Sequence, residues 1–358
     1  MSIKKIAKEA GVSTATVSRV LNNPGYKCSS EELRERIWKI ARELNYMPNE
    51  AARNLKKGIT DTSQKVWYLD VLMTRMGNLE TDPFFSELLR VIESEIHRQG
   101  CILMHIFHQP LFSNDRKCRT ENIDKVIAQM EPDGDIRSDG LIIIGKCNDN
   151  VLKKLSAKYK SIVSVNRNST NYLVDEVICD GKRIAAMAVE YLIGLGQRKI
   201  GFVGDCHNES RYKGYQDTLF QYGIDIDISF VIEAEHTEAE GYAVMERLIQ
   251  RGDAPTAIYC ANDMIAIGML KCLNKYKNRY YVPSIISSDD IEEAQYTRPM
   301  LTTVRIPKEE MGKFALYLLI DRLGGGHKGI GRTELEGKLM IRESCTLVEN
   351  ANRMEYYI

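Results

Sequence analysis

The chain has 358 residues, the length of about two domains, with 44% hydrophobic and 27% charged residues. This composition is too apolar for a disordered chain. The longest apolar runs, such as 141–144, fall far short of the roughly 18 to 20 residues that span a bilayer. Lys8 and Glu9 interrupt the N-terminal segment, so no secretory signal is expected. We therefore predict a cytoplasmic protein without a membrane partner.

The nine cysteines agree with a reducing compartment. Their number is odd, no two have Cys-x-x-Cys spacing, and several lie inside apolar runs. A disulfide framework would need paired cysteines. We therefore expect buried, free thiols.

The formal net charge of zero conceals a division of charge along the chain. Residues 1–58 contain twelve Lys and Arg against six Glu and no Asp, so they carry +6 and the remaining 300 residues carry −6. A small basic segment on a larger acidic one is typical of a polyanion-binding module joined to a second domain. We therefore predict a head over 1–58 and a body over 59–358.

The apolar spacing of the head predicts three helices, over 2–10, over 13–21 and from about Ser29 onward. Gly11 turns the chain between the first two helices. Two short helices across a tight glycine turn, backed by a third helix, form a helix-turn-helix. In this motif the second helix enters the major groove of DNA.

From about residue 66, short apolar runs alternate with helical periods, which predicts an α/β body of parallel sheets with helical crossovers. Nine strands are many for one sheet and favour two lobes. We place the first lobe at 61–165 and 291–325, and the second at 166–290 and 326–346. The strands are expected at 66–73, 101–107, 140–145, 161–165, 199–203, 229–233, 256–260, 282–287 and 301–305, with a last strand near 338–343.

Sequence signals of catalysis are weak. The glycines at 194–196 end a helix and precede a strand, the reverse of a dinucleotide fingerprint, and so predict a helix C-cap. His105 and His108 lie in a strand-like run that would point them to opposite faces. The glycine-rich stretch 324–329 is expected to be a flexible surface turn. We therefore predict no catalytic residue, no cofactor and no metal.

Three segments of the head carry a specific pattern: IAKEAGVSTATVSRVLN at 6–22, LNYMPN at 44–49 and AARNL at 51–55. Together they closely resemble the DNA-binding head and hinge of the lactose/galactose repressor (LacI/GalR) family. The similarity is dense and colinear over about 58 residues. It implies that the head binds double-stranded DNA.

The resemblance implies a DNA-reading surface on the second helix. Thr14 and Ala15 would face base edges, and Arg19 would fork onto a guanine or, alternatively, contact a phosphate. Ser13 and Thr14 have helix capping as an alternative role. Phosphate contacts are expected from Ser13, Thr16 and Ser18, and Asn22 belongs to the same DNA-binding set.

The hinge that follows is too short to be a stable helix alone in water. The family pattern implies that it folds on DNA beside the hinge of a partner chain. Leu55 would then insert into the minor groove, with packing on the body as the alternative. Arg53 and Lys56 would contact phosphates.

Markers along the body also resemble this family, whose body shares its fold with periplasmic sugar-binding proteins. The markers are 82–88, 139–142, 166–167, 180–181, 194–202, 211–215, 261–263, 288–290 and 299–304. Ligands of open parallel sheets lie beyond the carboxyl ends of the strands, where these markers fall. The resemblance therefore implies an effector site between the two lobes.

The residues implied for the effector are Phe84, Phe85, Asn166, Arg211, Asn262 and Asp289. Asp289 would accept hydroxyl hydrogen bonds, Asn262 would donate and accept, and Arg211 would donate a planar fork. One of the phenylalanines would offer an apolar face to a sugar ring. Asn166 stands where family members often carry an acid, so it keeps hydrogen bonding without the charge.

Structural roles for the same side chains stay open. The two phenylalanines suit packing at a helix start, and Arg211 and Asp289 suit a mutual salt bridge. Arg167 suits either an ion pair or a ligand contact. For Asp263 we favour helix capping.

These features together predict a homodimeric regulator of transcription, which the resemblance implies to be a repressor. Its partners would be a pseudo-palindromic DNA operator and a small effector, a sugar rather than a purine. The alternative is a sugar-binding module or a sugar-converting enzyme of the same body fold. A binding protein would lack the basic head, and an enzyme would need a general base, which the sequence does not identify.

Overall fold

The computed structural model describes residues 3–22, 30–43, 66–75, 82–114, 117–130, 137–207, 209–276 and 281–348. The chain divides into two compact units, Met1–Val66 and Trp67–Ile358. The predicted boundary between head and body at residue 58 lies outside the described residues, so it stays a prediction.

The first unit is a three-helix head. Helix α1 spans Ile3–Ala10, α2 spans Thr14–Asn22 and α3 spans Glu31–Glu43. The Ser30 hydroxyl caps α3 by accepting from the Leu33 amide at 3.2 Å. One apolar face of each helix contributes to a small core, formed by Ile6, Ala7, Ala10, Val17, Val20, Ile37 and Ile40. The helix-turn-helix predicted from the apolar spacing is thereby confirmed.

The turn between α1 and α2 depends on Gly11. Its φ of +69° lies in the left-handed region, which glycine enters without steric cost. The Val12 amide donates to the Ala7 carbonyl at 3.0 Å. Arg36 of α3 donates to the Ala10 carbonyl at 2.6 Å, which satisfies the C-terminal end of α1.

The second unit is the body, which contains twelve strands among the described residues. They are β1 Tyr68–Met73, β2 Ile102–His108, β3 Gly140–Ile144, β4 Ser161–Asn166, β5 Asp175–Ile178, β6 Ile200–Gly204, β7 Val231–Glu233, β8 Ala257–Cys260, β9 Ser284–Asp289, β10 Thr302–Arg305, β11 Arg332–Glu334 and β12 Lys338–Met340. The helices are α4 Pro83–Arg98, α5 Lys117–Thr120, α6 Ile123–Ala128, α7 Asp149–Ser156, α8 Gly181–Gly194, α9 Ser210–Gln221, α10 Glu238–Ile249, α11 Asp263–Tyr276 and α12 Lys308–Leu323. Across the described ranges, no helix is long and apolar enough to cross a bilayer.

The strands form two six-stranded sheets, one in each lobe. The first sheet has the order β11-β5-β4-β3-β1-β2 and the second β12-β10-β9-β8-β6-β7. All neighbours are parallel except β10 and β12. Every residue of β3 and β6 is buried, as expected for parallel strands whose two faces are covered. The predicted two-lobed α/β body is confirmed.

The lobe boundaries differ from the predicted ones. Strand β5 is absent from the predicted set, and it extends the first lobe beyond residue 165. Strand β10, which we expected in the first lobe, pairs with β9 of the second. Strand β11 is also absent from the predicted set, and its segment, which we expected in the second lobe, pairs with β5 of the first. The chain therefore crosses between lobes three times, at 178–181, 305–308 and 334–338.

Strand β5 escapes prediction because it is short and begins with two acids. Asp175 and Glu176 are both buried, although their charges are typical of a surface segment. Glu176 accepts hydrogen bonds from the Thr170 amide at 2.6 Å and from the Thr170 hydroxyl at 2.8 Å. Long-range partners therefore make these acids compatible with a strand interior.

The stretch 324–329 is tied to the first sheet, contrary to the expected flexible turn. Asp175, which is 1% exposed, accepts from Arg322 at 2.6 Å and from the Gly331 amide at 2.6 Å. His327 lies between Asp175, at 3.0 Å, and Asp321, at 2.5 Å. Buried charge and hydrogen bonding thus hold the segment that leads from α12 into β11.

We expect this His327 contact to make the stability of the body depend on pH. Hydrogen bonds to Asp321 and Asp175 raise the pKa of His327 above its ordinary value of 6.5. Its stabilising effect is therefore full at pH values below 6.5 and is lost as the pH rises through the raised pKa. His327→Gln should lower the melting temperature more at pH 5.5 than at pH 9, measured by calorimetry. Asp321→Asn should reduce this pH dependence, and an equal loss at both pH values would contradict the assignment.

The glycines at 194–196 take their predicted role, whereas five of the eight described cysteines are buried as expected. Helix α8 ends at Gly194, and Gly196, with a φ of +85°, donates to the Ile193 carbonyl at 2.9 Å. This is the predicted C-cap. None of the eight described cysteines forms a disulfide; Cys101, Cys118, Cys179, Cys260 and Cys272 are buried, and Cys147, Cys206 and Cys345 are half-buried. Cys28 lies outside the described residues.

Candidate functional site

In the head, α2 has one buried face and one exposed face. Val17 and Val20 are buried in the core, whereas Thr14 and Arg19 are exposed. Thr14 and Arg19 therefore lie on the solvent side of α2, as a surface that enters a DNA groove requires. The side chains of Ala15, Ser18 and Asn22 lie outside the described part of the structure.

The Ser13 hydroxyl caps α2. It accepts from the Thr16 amide at 3.1 Å, and the two hydroxyls lie 2.9 Å apart. The capping role that we weighed for Ser13 is therefore present, and the Thr16 hydroxyl belongs to the same cap. Both residues sit at the helix N-terminus, where phosphate contacts are expected. The hinge residues Arg53, Leu55 and Lys56 lie outside the described residues, so their roles stay predictions.

In the body, the predicted effector residues follow strand ends in both lobes. Asn166 is the last residue of β4, and Asp289 is the last residue of β9. Asn262 follows β8, and Arg211 lies in the first turn of α9, after β6. The two phenylalanines lie in the first turn of α4. The carboxyl ends of parallel strands share one edge of a sheet, so these residues belong to the cleft between the lobes.

Arg167 and Asp289 form an ion pair across this cleft. The Arg167 guanidinium donates to Asp289 Oδ1 at 2.6 Å and lies 4.2 Å from the ring centroid of Phe84. Asp289 is 2% exposed. Burial raises the pKa of Asp289 to about 6, although Arg167 and Arg211 act in the opposite direction. Arg167 therefore takes the ion-pair role that we left open for it.

Asp289 is also held by its backbone. Its φ of 124° lies in a region that side chains rarely adopt. Lys308 at the start of α12 donates to the Asp289 carbonyl at 3.2 Å and pairs with Glu87 of α4 at 2.6 Å. The backbone of Asp289 is thus tied to the first lobe, because α12 and α4 pack there, whereas β9 belongs to the second lobe.

Phe84 and Phe85 combine packing with a position in the cleft. Their rings meet edge to face, 5.1 Å apart. Phe84 is buried in the core, and Phe85 is half-buried against it. The helix-start packing that we weighed is present, and the Phe84 ring also carries the Arg167 guanidinium.

Arg211 is completely buried and has its own partner. It donates to Glu209 Oε2 at 2.7 Å and also to the Ala261 carbonyl. Burial alone would raise the pKa of Glu209, but the Arg211 guanidinium holds it well below its ordinary range. Since Arg211 pairs with Glu209 and Asp289 pairs with Arg167, the mutual Arg211–Asp289 bridge that we weighed is not the arrangement found.

Asn262 and Asp263 differ from their expected roles. Asn262 Oδ1 accepts from the Ile265 amide at 3.1 Å, so Asn262 caps α11. Our assignment of that cap to Asp263 is therefore wrong. The Asp263 carboxylate instead accepts from Ser287 at 2.5 Å, from Thr303 at 2.6 Å and from the Ile291 amide at 2.9 Å. These bonds join α11 to strands β9 and β10.

Asn166 bonds within its own turn. Its side-chain oxygen accepts from the Arg167 amide at 2.7 Å, and the residue is half-buried. The amide nitrogen of the side chain has two donors to offer. Asn166 thus shapes the turn that directs Arg167 toward Asp289.

Four further cleft residues escaped the sequence reasoning: Arg75, Glu209, His236 and Lys308. Arg75 follows β1, His236 follows β7, and Glu209 precedes Arg211 by two residues. Each of the four follows a strand of the body by a few residues. Charged residues after strand ends are therefore the signal in the sequence that indicates them.

The cavity in this cleft is small. Its volume is about 10 Å³, room for one water molecule. It is lined by Arg75, Phe84, Phe85, Leu88, Val165, Asn166, Arg167, Asn168, Glu209 and Met311. An open groove of about 800 Å³ lies within the first lobe, between the starts of α6 and α7, and contains none of the predicted effector residues. We favour the cleft because residues of both lobes converge there.

Comparison with known proteins agrees with both units. Residues 2–49 match the bacterial regulatory proteins of the lacI family, and 189–345 match a periplasmic binding protein-like domain. The chain is 31% identical to the HTH-type transcriptional repressor MelR of Bacillus subtilis (strain 168) over 357 residues, covering 96% of this chain and 97% of MelR.

Solved structures show the same fold. The transcriptional regulator CelR in complex with cellobiose matches with a TM-score of 0.64 and 24% identity, over 96% of this chain and 99% of that one. The lac repressor dimer bound to operator and the anti-inducer ONPF matches with a TM-score of 0.64 and 22% identity, over 97% and 99%. MelR, CelR and the lac repressor are all regulators of transcription by name. The chain is a transcriptional regulator and belongs to the LacI family.

Proposed function

We propose that the chain binds a pseudo-palindromic operator as a homodimer and represses transcription under the control of a small sugar-type effector. The observation that carries the DNA-binding part is the exposed face of α2, with Thr14 and Arg19 opposite the buried Val17 and Val20. The +6 charge of residues 1–58 adds the attraction for phosphates. MelR, with which the chain aligns over nearly its whole length, is itself a repressor. A protein that acts on genomic DNA in a bacterium works in the cytoplasm, which is the location we propose.

The effector part is supported by the chemistry of the cleft. Phe84 offers an aromatic face, which suits the C–H surface of a sugar ring. Asp289, Asn166 and Arg211 offer acceptors and donors for hydroxyl groups. Cellobiose is bound by CelR, a protein of the same fold. A sugar would therefore compete with Arg167 for the Phe84 ring and the Asp289 carboxylate.

Control of DNA binding would follow from relative movement of the lobes. Three chain segments connect them, at 178–181, 305–308 and 334–338. A ligand that contacts both lobes binds the closed form better, and this differential affinity is the only free energy available to affect the head. Couplings of this kind are typically about 1–3 kcal/mol.

The DNA-binding part is tested by a salt titration of a palindromic duplex. Six to ten phosphate contacts imply that the affinity falls by about 10³ to 10⁵ between 50 and 200 mM salt. Arg19→Ala should weaken specific binding by about 1–3 kcal/mol and non-specific binding by less, if Arg19 contacts a base edge. Fluorescence anisotropy with specific and scrambled duplexes measures both.

Lys199→Gln is the matched control, since Lys199 is an exposed cation of the second lobe, paired with Asp253. It should leave operator affinity unchanged. Affinity that hardly responds to salt would contradict the proposed DNA binding. Equal losses on specific and scrambled duplexes for Arg19→Ala would make Arg19 a phosphate contact.

A further inference from the structure

Three arginines of different chain segments converge on the inner end of the cleft. Arg75 follows β1, Arg167 follows β4, and Arg211 belongs to α9. Glu209 Oε2 accepts from Arg211 at 2.7 Å and lies 4.0 Å from Arg75 Nη2. One carboxylate thus serves two guanidinium groups. The Arg75 side chain is 29% exposed, so it lies on the solvent side of the pair.

The same cluster collects buried nitrogens that lack hydrogen-bond partners. In the described part of the chain, seven buried side-chain atoms have none, and three of them are Arg167 Nε, Arg211 Nε and His236 Nε2. Buried polar groups are normally hydrogen-bonded, and exceptions call for an explanation. An arginine Nε–H can only donate. The two arginine nitrogens therefore lack acceptor atoms.

His236 lies within the electrostatic reach of these arginines. Burial, together with the charges of Arg211 and Arg75, lowers its pKa well below the ordinary value. Its carbonyl accepts from the Asn262 side chain at 3.3 Å. The imidazole is therefore neutral and held beside the guanidinium groups, with a ring nitrogen available to a ligand.

Glu209, Asp289 and Asp82 balance the three arginines in formal charge, but none of them accepts a hydrogen bond from the unpartnered Nε atoms of Arg167 and Arg211. Asp289 is paired with Arg167, and Asp82 uses its carboxylate to cap α4 at the Phe84 amide, 3.0 Å away. Burial raises the pKa of Asp82, as it does that of Asp289. Both acids are thus easier to neutralise than ordinary carboxylates, whereas arginines keep their charge.

We infer that the effector carries an anionic group, a carboxylate or a phosphate, which Arg75, Arg211 and His236 bind. This inference rests on the proposed effector site and specifies its ligand as an acidic or phosphorylated sugar. Ionised oxygens supply the acceptors that the two arginine Nε atoms lack, and they match the planar fork of arginine. The sugar ring would then extend from this end of the cleft toward Phe84 and Asp289.

The test compares matched sugars that differ in one group. Glucose, glucose 6-phosphate and glucuronate, with the corresponding galactose set and inorganic phosphate alone, are titrated into the full chain at constant ionic strength. Calorimetry and melting temperature report binding. We expect the carboxylate or phosphate member of at least one set to bind about tenfold tighter than its neutral sugar.

Arg75→Gln should abolish this preference, and Arg75→Lys should restore part of it, because it returns the charge without the fork. Lys199→Gln removes an exposed cation outside the cleft and should keep the preference. Melting temperatures without ligand verify that each variant is folded. A response to inorganic phosphate alone that survives Arg75→Gln would count as adventitious ion binding and against the inference.

The outcomes separate this inference from the proposed function. If neutral sugars bind as tightly as their charged counterparts, or if no anion binds, the inference of an anionic effector is overturned. Control of operator binding by a neutral sugar can then still be measured. If the anionic sugar binds through Arg75 but operator affinity stays unchanged, the anion site stands and control by this ligand is overturned.

Discussion

Asp289→Ala is expected to remove the effector response and to lower the free energy of unfolding of the body by about 3–5 kcal/mol. Asp289 accepts the guanidinium of Arg167, which is itself 11% exposed, so the substitution leaves a nearly buried cation without its partner. It also removes the acceptor proposed for sugar hydroxyls. Urea unfolding measures the stability, and operator titration with and without a sugar selected by thermal shift measures the response.

The double variant Asp289→Ala, Arg167→Met separates the two effects. It removes both charges and fills the space over Phe84 with an apolar side chain, so stability should largely return. The effector response should stay absent, and operator affinity without effector should be near wild type. A single variant that still responds at wild-type sugar concentrations would assign Asp289 a purely structural role.

Asp263 is expected to make the body more stable at mildly acidic pH. Burial and, to a smaller extent, the charge of the nearby Asp289 raise the pKa of Asp263 to about 7, while three hydrogen bonds oppose the shift. A carboxyl whose pKa is higher in the folded state stabilises the fold when protonated. Its contribution is full below the unfolded value near 3.8 and declines until the pH passes about 7.

Asp263→Asn isolates this contribution, because the amide does not titrate. Its oxygen can accept from the Ile291 amide, and the Ser287 and Thr303 hydroxyls can reverse and accept from its nitrogen. The stability of the variant relative to wild type should rise by up to about 1.4 kcal/mol per pH unit from pH 5 to pH 7. If the difference in unfolding free energy between variant and wild type stays constant from pH 5 to pH 7, the carboxyl does not titrate in this range.

The sequence predicted the head well because its information is local. Apolar residues at helical spacing determine which face of α1, α2 and α3 is buried, and Gly11 meets the backbone requirement of the turn. The exposed face of α2 then follows by geometry. The roles of Ala15, Ser18, Asn22 and the hinge residues stay predictions, because their side chains lie outside the described residues.

The body was predictable as an architecture, but not in its strand assignment. Alternating strands and helices indicate two parallel sheets, whereas membership of a sheet is decided by pairing between distant segments. The two acids at the start of β5 are typical of a polar loop in sequence. In the fold, Arg322 donates to Asp175 and the Thr170 amide donates to Glu176, which makes both acids compatible with a buried strand. Strands β10 and β11 lie close to segments that cross between the lobes, so the sequence alone does not assign them to a sheet. Their pairing with β9 and β5 assigns β10 to the second sheet and β11 to the first.

The sequence by itself determined which residues stand at the strand ends, and with them the prediction that Arg211, Asn262 and Asp289 share one cleft. Tertiary structure alone decided how the charges are paired: Arg211 with Glu209, and Asp289 with Arg167. It also placed Arg75 and His236 beside them. The physical reason is that hydrophobic periodicity is a local property of the sequence. The energy of a buried charge instead depends on groups that folding brings within a few ångströms.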